Sequence, residues 1–455
     1  MVEWKRTRIT FKTTKLGDFI EPVKESVADK KSSSYNLVYG VTNTEGIVVT
    51  GKRTSKDVSN YIAIDKGCFA YNPYRINVGS IGFNNSGLKG CVSPAYVVFK
   101  TKADLNPDFL FLYLKSDFGH HLINWYGNKG GVRNALSYDN LCEIDIPAIG
   151  YQKQTQLVER VAKIQSIVSD IDSDISNQLL HLNNLRQSIL QEAIEGKLTA
   201  KWRKEHLDLI SGENHASKLL EKIKAEKERL IKGGKIKKDK SLPPISDDEK
   251  PFELPEGWVW CKLNQLVDLR RPITYGIVKM GDEPKHDGVY ALRCSDVRFR
   301  YIDGASIRKV SNNISTKYSR TILSGGEILL NVRGTLGGCA ITTKEHKGFN
   351  IAREVSLIVL HDRDMNHYIL NVLTSPFFNY EIGKNLRGIA YKGLNLNLLS
   401  NFLIPLPPLD EQKAIVDRVD KIMAMIDELE VQIKDCKDQS EQLMQAVLRE
   451  AFEGE

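Results

Sequence analysis

Cysteine is scarce in this chain. There are seven in 455 residues, and the closest two, Cys68 and Cys91, stand 23 apart. No CxxC spacing exists, which excludes the usual zinc-ribbon and dithiol motifs and points to a reducing compartment. No apolar run approaches the ~20 residues of a membrane helix. The N-terminal stretch MVEWKRTRITFKTTKLGDFIE lacks the apolar core of a signal peptide. A cytoplasmic protein without membrane contact is therefore expected.

Catalytic signatures are missing as well. There is no GxxxxGK[ST] loop, no GxGxxG after a strand, no HExxH and no GxSxG elbow. His120-His121 has no carboxylate ligands nearby, so no metal site is expected. Asn72-Pro73-Tyr74 is one Pro short of the Asn-Pro-Pro-aromatic loop of amino-methyltransferases and reads as a turn. Glu411-Gln412-Lys413 fits half of a nuclease motif. It reads better as the first turn of a helix, where acids favour the dipole.

What is present is a soluble composition, 41% hydrophobic and 27% charged, with room for several domains. It is also a composition used twice. At an offset of 258, Ile146-Pro147 meets Ile404-Pro405, Gln154 meets Gln412, and Arg160-Val161 meets Arg418-Val419. In the same register Glu192-Ala193 meets Glu450-Ala451, and Glu195-Gly196 meets Glu453-Gly454. The preceding blocks echo each other with gaps: GCFAYNPYR from Gly67 against GEILLNVRG from Gly326, and DFLFLYLKSDF against HYILNVLTSPFF.

The repeated segments read as long helices. No Pro or Gly interrupts 152–195. Apolar residues recur at spacings of three and four: Val161, Ile164, Val168, Ile171, Ile175, Leu182, Leu185 and Ile189, with Gln178 the polar member. The second series is Val419, Ile422, Ile426, Leu429, Ile433, Cys436, Leu443 and Val447, with Ser440 polar. This is a heptad seam, and two matched seams favour mutual pairing over packing of each helix on its own domain. Gly196 and Gly454 stand at the helix stops. About 44 residues at 1.5 Å each give a rod of roughly 66 Å. The variable blocks, 1–150 and 254–407, look α+β, with strand-like runs at Tyr96–Phe99, Glu327–Leu330 and Val355–Val359. Between the repeats, 201–253 holds a charged amphipathic helix (213–232) and a Lys-rich, Pro-containing linker better read as solvated than as nucleic-acid-binding.

The net charge of +7 divides unevenly: +5 in 1–150, −1 in 151–200, +3 in 201–253, +7 in 254–407 and −7 in 408–455. Basic blocks suit a polyanion; the acidic terminal helix suits a protein partner. Within the blocks, cationic and polar residues stand among glycines and aromatics: Tyr74, Arg75, Asn85, Lys129 and Arg133 in the first, and Arg271, Tyr275, Lys279, Arg293, Arg333, Lys384, Arg387, Tyr391 and Lys392 in the second. Glycine permits close backbone approach, and Arg, Lys and Asn can read or anchor a nucleic acid. These are the candidate DNA contacts, although any one of them alone fits an ordinary surface or turn role. Two large copies without a shared catalytic set suggest recognition, not reaction.

Several stretches together resemble the specificity subunits of type I restriction–modification systems. They are FLIPLPPLDEQKAIVDRVDKI (Phe402 to Ile422) with its echo IDIPAIGYQKQTQLVERVAKI, LRQSILQEAIEGKLT (Leu185 to Thr199), AEKERLIKGGKIKKDKSLPPI (Ala225 to Ile245) and LPEGWVWCKLNQL (Leu254 to Leu266). The resemblance spans nearly the whole chain in the family's order, with AIGYQKQ replacing PLPPLDEQ in the first copy. It implies two target recognition domains (1–150 and 254–407) separated by two conserved helices (151–200 and 408–455) that form an antiparallel coiled-coil spacer with a pseudo-twofold repeat. It implies double-stranded DNA as ligand, and two methyltransferase and two endonuclease/translocase subunits as partners. S-adenosylmethionine, ATP and Mg would then be held by those partners, with no cofactor or catalytic residue in this chain. Unlike heads should read unlike half-sites, and the helix length should set the gap between them. The competing readings are a self-contained restriction–methylation enzyme and a coiled-coil scaffold that binds only protein. The first would need a methyl-donor loop that is not visible; the basic blocks argue against the second.

Overall fold

The computed structural model describes residues 12–50, 57–128, 135–236, 244–334, 336–386 and 393–453. The chain divides into two compact units, Met1–Asn177 with Ile433–Glu455, and Gln178–Gln432. Both long helices, Tyr151–Ile194 and Leu409–Glu453, are shared between the units, so each unit holds one variable block and a part of each helix.

The first unit contains strands β1 (Thr13–Lys15), β2 (Ile20–Pro22), β3 (Tyr39–Thr42), β4 (Gly46–Val49), β5 (Ile62–Ile64), β6 (Phe69–Tyr71), β7 (Ile81–Phe83), β8 (Gly90–Val92), β9 (Val97–Thr101) and β10 (Asp145–Pro147). β1 pairs antiparallel with β10, so the block's two ends clasp one another, and the Leu16 amide extends the clasp to the Ile144 carbonyl. The main sheet runs β2-β9-β6-β7. Phe69 stacks on Phe83 and Phe99 across neighbouring strands, which anchors the register. Helices Pro107–Lys115 and Asp117–Gly127 cover the sheet. Asn106 caps the first by accepting from the Asp108 and Phe109 amides, with Pro107 at the first helical position. Ser116 ends that helix and caps the next through the Gly119 amide. A Cβ at Gly119 would lie 2.0 Å from the Tyr113 carbonyl, so only glycine fits this corner.

The second unit contains β11 (Val259–Lys262), β12 (Thr274–Tyr275), β13 (Val289–Leu292), β14 (Arg308–Val310), β15 (Ile328–Asn331), β16 (Cys339–Ile341), β17 (Asn350–Ile351), β18 (Val355–Ile358) and β19 (Leu403–Leu406). It repeats the plan. β11 and β19 clasp the block's ends, and Leu263 donates to the Phe402 carbonyl as Leu16 does to Ile144. The main sheet runs β12-β18-β15-β16, the same order as in the first unit. β15 and β18 are buried throughout and mostly apolar, with Asn331 and Ser356 their polar members. Ser375 caps the helix Pro376–Leu386 through the Phe378 amide, as Ser116 does in the first unit. The added sheet β14-β13-β17 joins an antiparallel pair to a parallel one, and the first unit echoes it with the antiparallel β3–β4 pair and a parallel bridge between Val38 and Cys91. The charged helix Ala216–Lys232 buries Ala216 and Ile223 in this unit's core.

Glu411, in the first turn of the second long helix, is fully buried. Its Oε1 accepts from Thr199 Oγ1 at 2.8 Å and from Arg203 Nε at 2.9 Å; its Oε2 accepts from Trp258 Nε1 at 2.8 Å. The second unit's helix ends are joined through this carboxylate to the start of the variable block. Its repeat partner is Lys153, so no carboxylate stands at this position in the first copy. Both copies keep the neighbouring glutamine: Gln154 donates to the Ile149 carbonyl and Gln412 to the Pro407 carbonyl.

Within each unit the helices run antiparallel. In the second, Arg186 meets Asp427 and Glu430 while Thr199 meets Glu411, so one number rises as the other falls. In the first, Arg160 meets Glu450 at 3.3 Å, and Val161 shares a core with Val447. Val161, Ile175, Val419, Ile426 and Val447 are buried along the seam, and Ile164, Val168, Ile171, Leu182, Ile189, Ile422 and Ile433 are half-buried. Four assignments are corrected. Leu185, Leu429 and Leu443 are 43%, 46% and 53% exposed, and Cys436 is exposed as well. A heptad frame drifts about 20° per repeat against a 3.6-residue helix. The facing side chains are therefore Arg186, drawn in by two carboxylates, and the half-buried Met444. Gly196 ends the first helix at φ +71°, while Gly454 lies outside the described residues.

Two outcomes are expected in denaturant titrations. Glu411→Ala strands the buried Arg203 and Trp258 donors and should cost about 3–5 kcal/mol. Ile426→Ala should cost about 2–4 kcal/mol, whereas Leu443→Ala should stay within about 0.5 kcal/mol of the parent.

Candidate nucleic-acid interface

One end of each main sheet carries the cationic loops. In the second unit, β15 runs out into Val332-Arg333-Gly334. The Val332 and Arg333 amides both donate to the Glu354 carbonyl just before β18. The Leu394 amide returns to the Val332 carbonyl at 2.7 Å, so the chain leaving helix Pro376–Leu386 is stitched to the same loop. Alongside, Ile277 forms a parallel bridge with Ala352. A Cβ on Gly276 would fall 1.8 Å from the Ile351 carbonyl, so glycine alone admits this approach. Tyr275 is 42% exposed on β12, Lys279 is exposed on the following turn, and Arg333 is half-buried. Lys384 is exposed on its helix.

The first unit builds the same corner from different residues. β6 runs out into Asn72-Pro73-Tyr74-Arg75, where Asn72 Oδ1 accepts from the Tyr74 amide. The Leu136 amide returns to the Pro73 carbonyl at 3.1 Å, as Leu394 does to Val332. Tyr74 is 63% exposed, and Arg75 is exposed beside it. Two side chains that composition did not single out hold this loop. Lys115 Nζ donates to the Gly79 carbonyl at 2.7 Å and to Asn43, and His120 Nε2 contacts the Asn77 carbonyl. Asn85 is exposed beyond β7, at the opposite end of the β6–β7 pair from Asn72, in a turn that buried Asn84 shapes by donating to the Asp65 and Leu88 carbonyls. Lys129, Arg133, Arg387, Tyr391 and Lys392 lie outside the described residues.

The comparisons with known proteins bear on this arrangement. The family described as "Type I restriction modification DNA specificity domain" matches residues 255–435. The EcoBI specificity subunit of Escherichia coli is 27% identical over 400 residues, covering 86% of this chain and 75% of that protein. The chain is similar to specificity subunits of type I restriction–modification systems. The EcoKI specificity subunit from Escherichia coli strain K12 is 50% identical over 134 residues, 29% of this chain and 28% of that one. The chain spans less than half the length of the EcoEI and EcoAI subunits, 44% and 48%. In fold, the HsdS subunit from Thermoanaerobacter tengcongensis aligns over 98% of this chain and 97% of its own, with TM-score 0.55 at 17% identity.

In the second unit the arginines divide by what holds them. Arg271 donates to Glu327 at 2.8 Å and to the Ile322 carbonyl. Arg293 forks onto buried Asp296. Both are engaged inside the protein, and so stand apart from the exposed Tyr275 and Lys279. Arg300, one of the two described non-glycine residues with positive φ, contacts Asn371 and reaches Asp420 at 2.9 Å. Among the described residues no group of three or more His, Cys, Asp or Glu could hold a metal ion, and no helix is long and apolar enough to cross a membrane.

Glu327 is the electrostatic anchor beneath the sheet. Burial opposes its charge, but hydrogen bonds from Ser324, Thr342 and Arg271 outweigh burial and hold the carboxyl at about 2. A depressed carboxylate contributes stability above its unfolded pKa and loses it as pH falls through the folded value. Glu327→Gln should therefore destabilise the protein at pH 7 by about 3 kcal/mol. The gap to the parent should close between roughly pH 4.5 and 2 in denaturant midpoints measured across that range.

Proposed function

We propose that this chain reads a bipartite, asymmetric sequence in double-stranded DNA and brings adenine methyltransferase and ATP-dependent endonuclease subunits to it. One observation carries the reading. The same pair of stitched loops closes the same end of two sheets of identical strand order, and the side chains they present differ: Tyr74 and Arg75 in one, Arg333 in the other. A duplicated scaffold with unlike tips suits two half-sites of unlike sequence. Two methyltransferase and two endonuclease/translocase subunits complete the assembly; they supply S-adenosylmethionine, ATP and Mg chemistry, while this chain supplies address and no reaction of its own. The conserved helices, acidic toward the C-terminus, face these protein partners and not the DNA.

Sequencing methylated adenines in cells carrying the complex tests the reading directly, because it returns both half-sites at once. Tyr74→Ala with Arg75→Ala should relax selectivity in one half-site, and Arg333→Ala in the other, each by roughly 10–100-fold. Lys279→Ala should weaken all sequences alike and lower the salt slope by about one. Methylation by the purified chain without partners, or loop variants that all alter the same half-site, would sink the proposal.

A further inference from the structure

The second block's arginines can be sorted further. Arg270 is held by Asp268, Arg298 stands 3.9 Å from Asp303, and Arg308 and Arg363 donate to the Gly281 and Gly325 carbonyls. Arg320 is exposed, but its carbonyl accepts from Arg271 at the opposite end of β15, beside Glu327. At the loop end of the sheet two guanidiniums have no partner among the described residues, those of Arg333 and Arg353. They sit on either side of one backbone link, the Arg333 amide to the Glu354 carbonyl.

Arg353 is exposed, and its backbone is fixed from both sides. Its amide donates to the Ile277 carbonyl at 2.9 Å. The preceding Ala352 amide donates to Leu292 at 2.8 Å, and Ile277 in turn donates to Ile351 at 2.8 Å. The closeness at Gly276 packs these strands backbone to backbone. A long side chain on so constrained a base is placed for geometric discrimination, which a flexible lysine on a turn cannot supply. A planar fork with five donors and no internal acceptor matches the N7 and O6 acceptors of guanine in the major groove.

We infer that Arg353 is a specificity-determining residue of the second half-site, reading one guanine edge while neighbouring Arg333 and Lys279 engage the surrounding DNA. This rests on the DNA-reading function proposed above. The test uses the complex of this chain with its methyltransferase subunits and a set of duplexes in which each base pair of the mapped site is changed in turn. Arg353→Gln should lose 10–100-fold of discrimination at a single G·C pair in the half-site that Arg333→Ala affects, leaving the other half-site as it was. Arg353→Lys should recover salt-dependent affinity without recovering that discrimination. Replacing the guanine by 7-deazaguanine should weaken the parent and leave Arg353→Gln unchanged. Equal weakening on every duplex would make Arg353 a phosphate contact and overturn the inference, as would unaltered selectivity in a variant with the parent's melting temperature. A parent complex without any sequence preference would instead defeat the underlying function, and the inference with it.

Discussion

A single buried carboxylate organises the second unit. Glu411, on the second long helix, draws donors from two other stretches: Thr199 and Arg203 just beyond the first long helix, and Trp258 at the start of the variable block. An unpaired carboxylate at that depth would be prohibitively costly, so its partners cannot drift apart independently. Arg203 also donates to the Gly196 carbonyl and lies 5.7 Å from the Trp258 ring, so the helix stop belongs to the same cluster. Everything that aims the second variable block starts from this point, because β11 follows Trp258 directly.

From there the candidate interface is built by backbone more than by side chain. Each loop end rests on amide-to-carbonyl stitches, at Leu136–Pro73 in one unit and Leu394–Val332 in the other. Side chains at the tips can then vary without disturbing the frame that carries them. A charged cluster such as Arg271–Glu327 lies at the far end of β15, where it stabilises the sheet and leaves the tips free for a ligand.

Much of this was legible in the chain itself, since duplication shows as matched register and a buried strand shows as an apolar run such as Ile328–Leu330. Two matched seams in one chain pointed to mutual pairing, and the antiparallel sense came from the family resemblance. Three things were not legible. A heptad count does not register the drift of a real helix, so Leu185, Leu429 and Leu443 were placed inward when Arg186 and Met444 face the seam. Composition does not say whether an arginine has an internal partner: Arg271 and Arg293 stand among glycines and aromatics much as Arg333 does, but Glu327 and Asp296 hold them. Finally, Lys115, His120 and Arg353 lie outside any glycine-rich stretch, and only the fold brings them to the loops.

The strand clasps have a consequence for how such chains diversify. Each variable block enters and leaves through one antiparallel pair, β1 with β10 or β11 with β19, held by main-chain bonds that are indifferent to side-chain identity. Such a block is a cassette with both ends at one doorway. Exchanging the segment between the two clasped strands would leave the main-chain bonds that seat it in place, so an unrelated head could be installed without re-engineering the helices behind it.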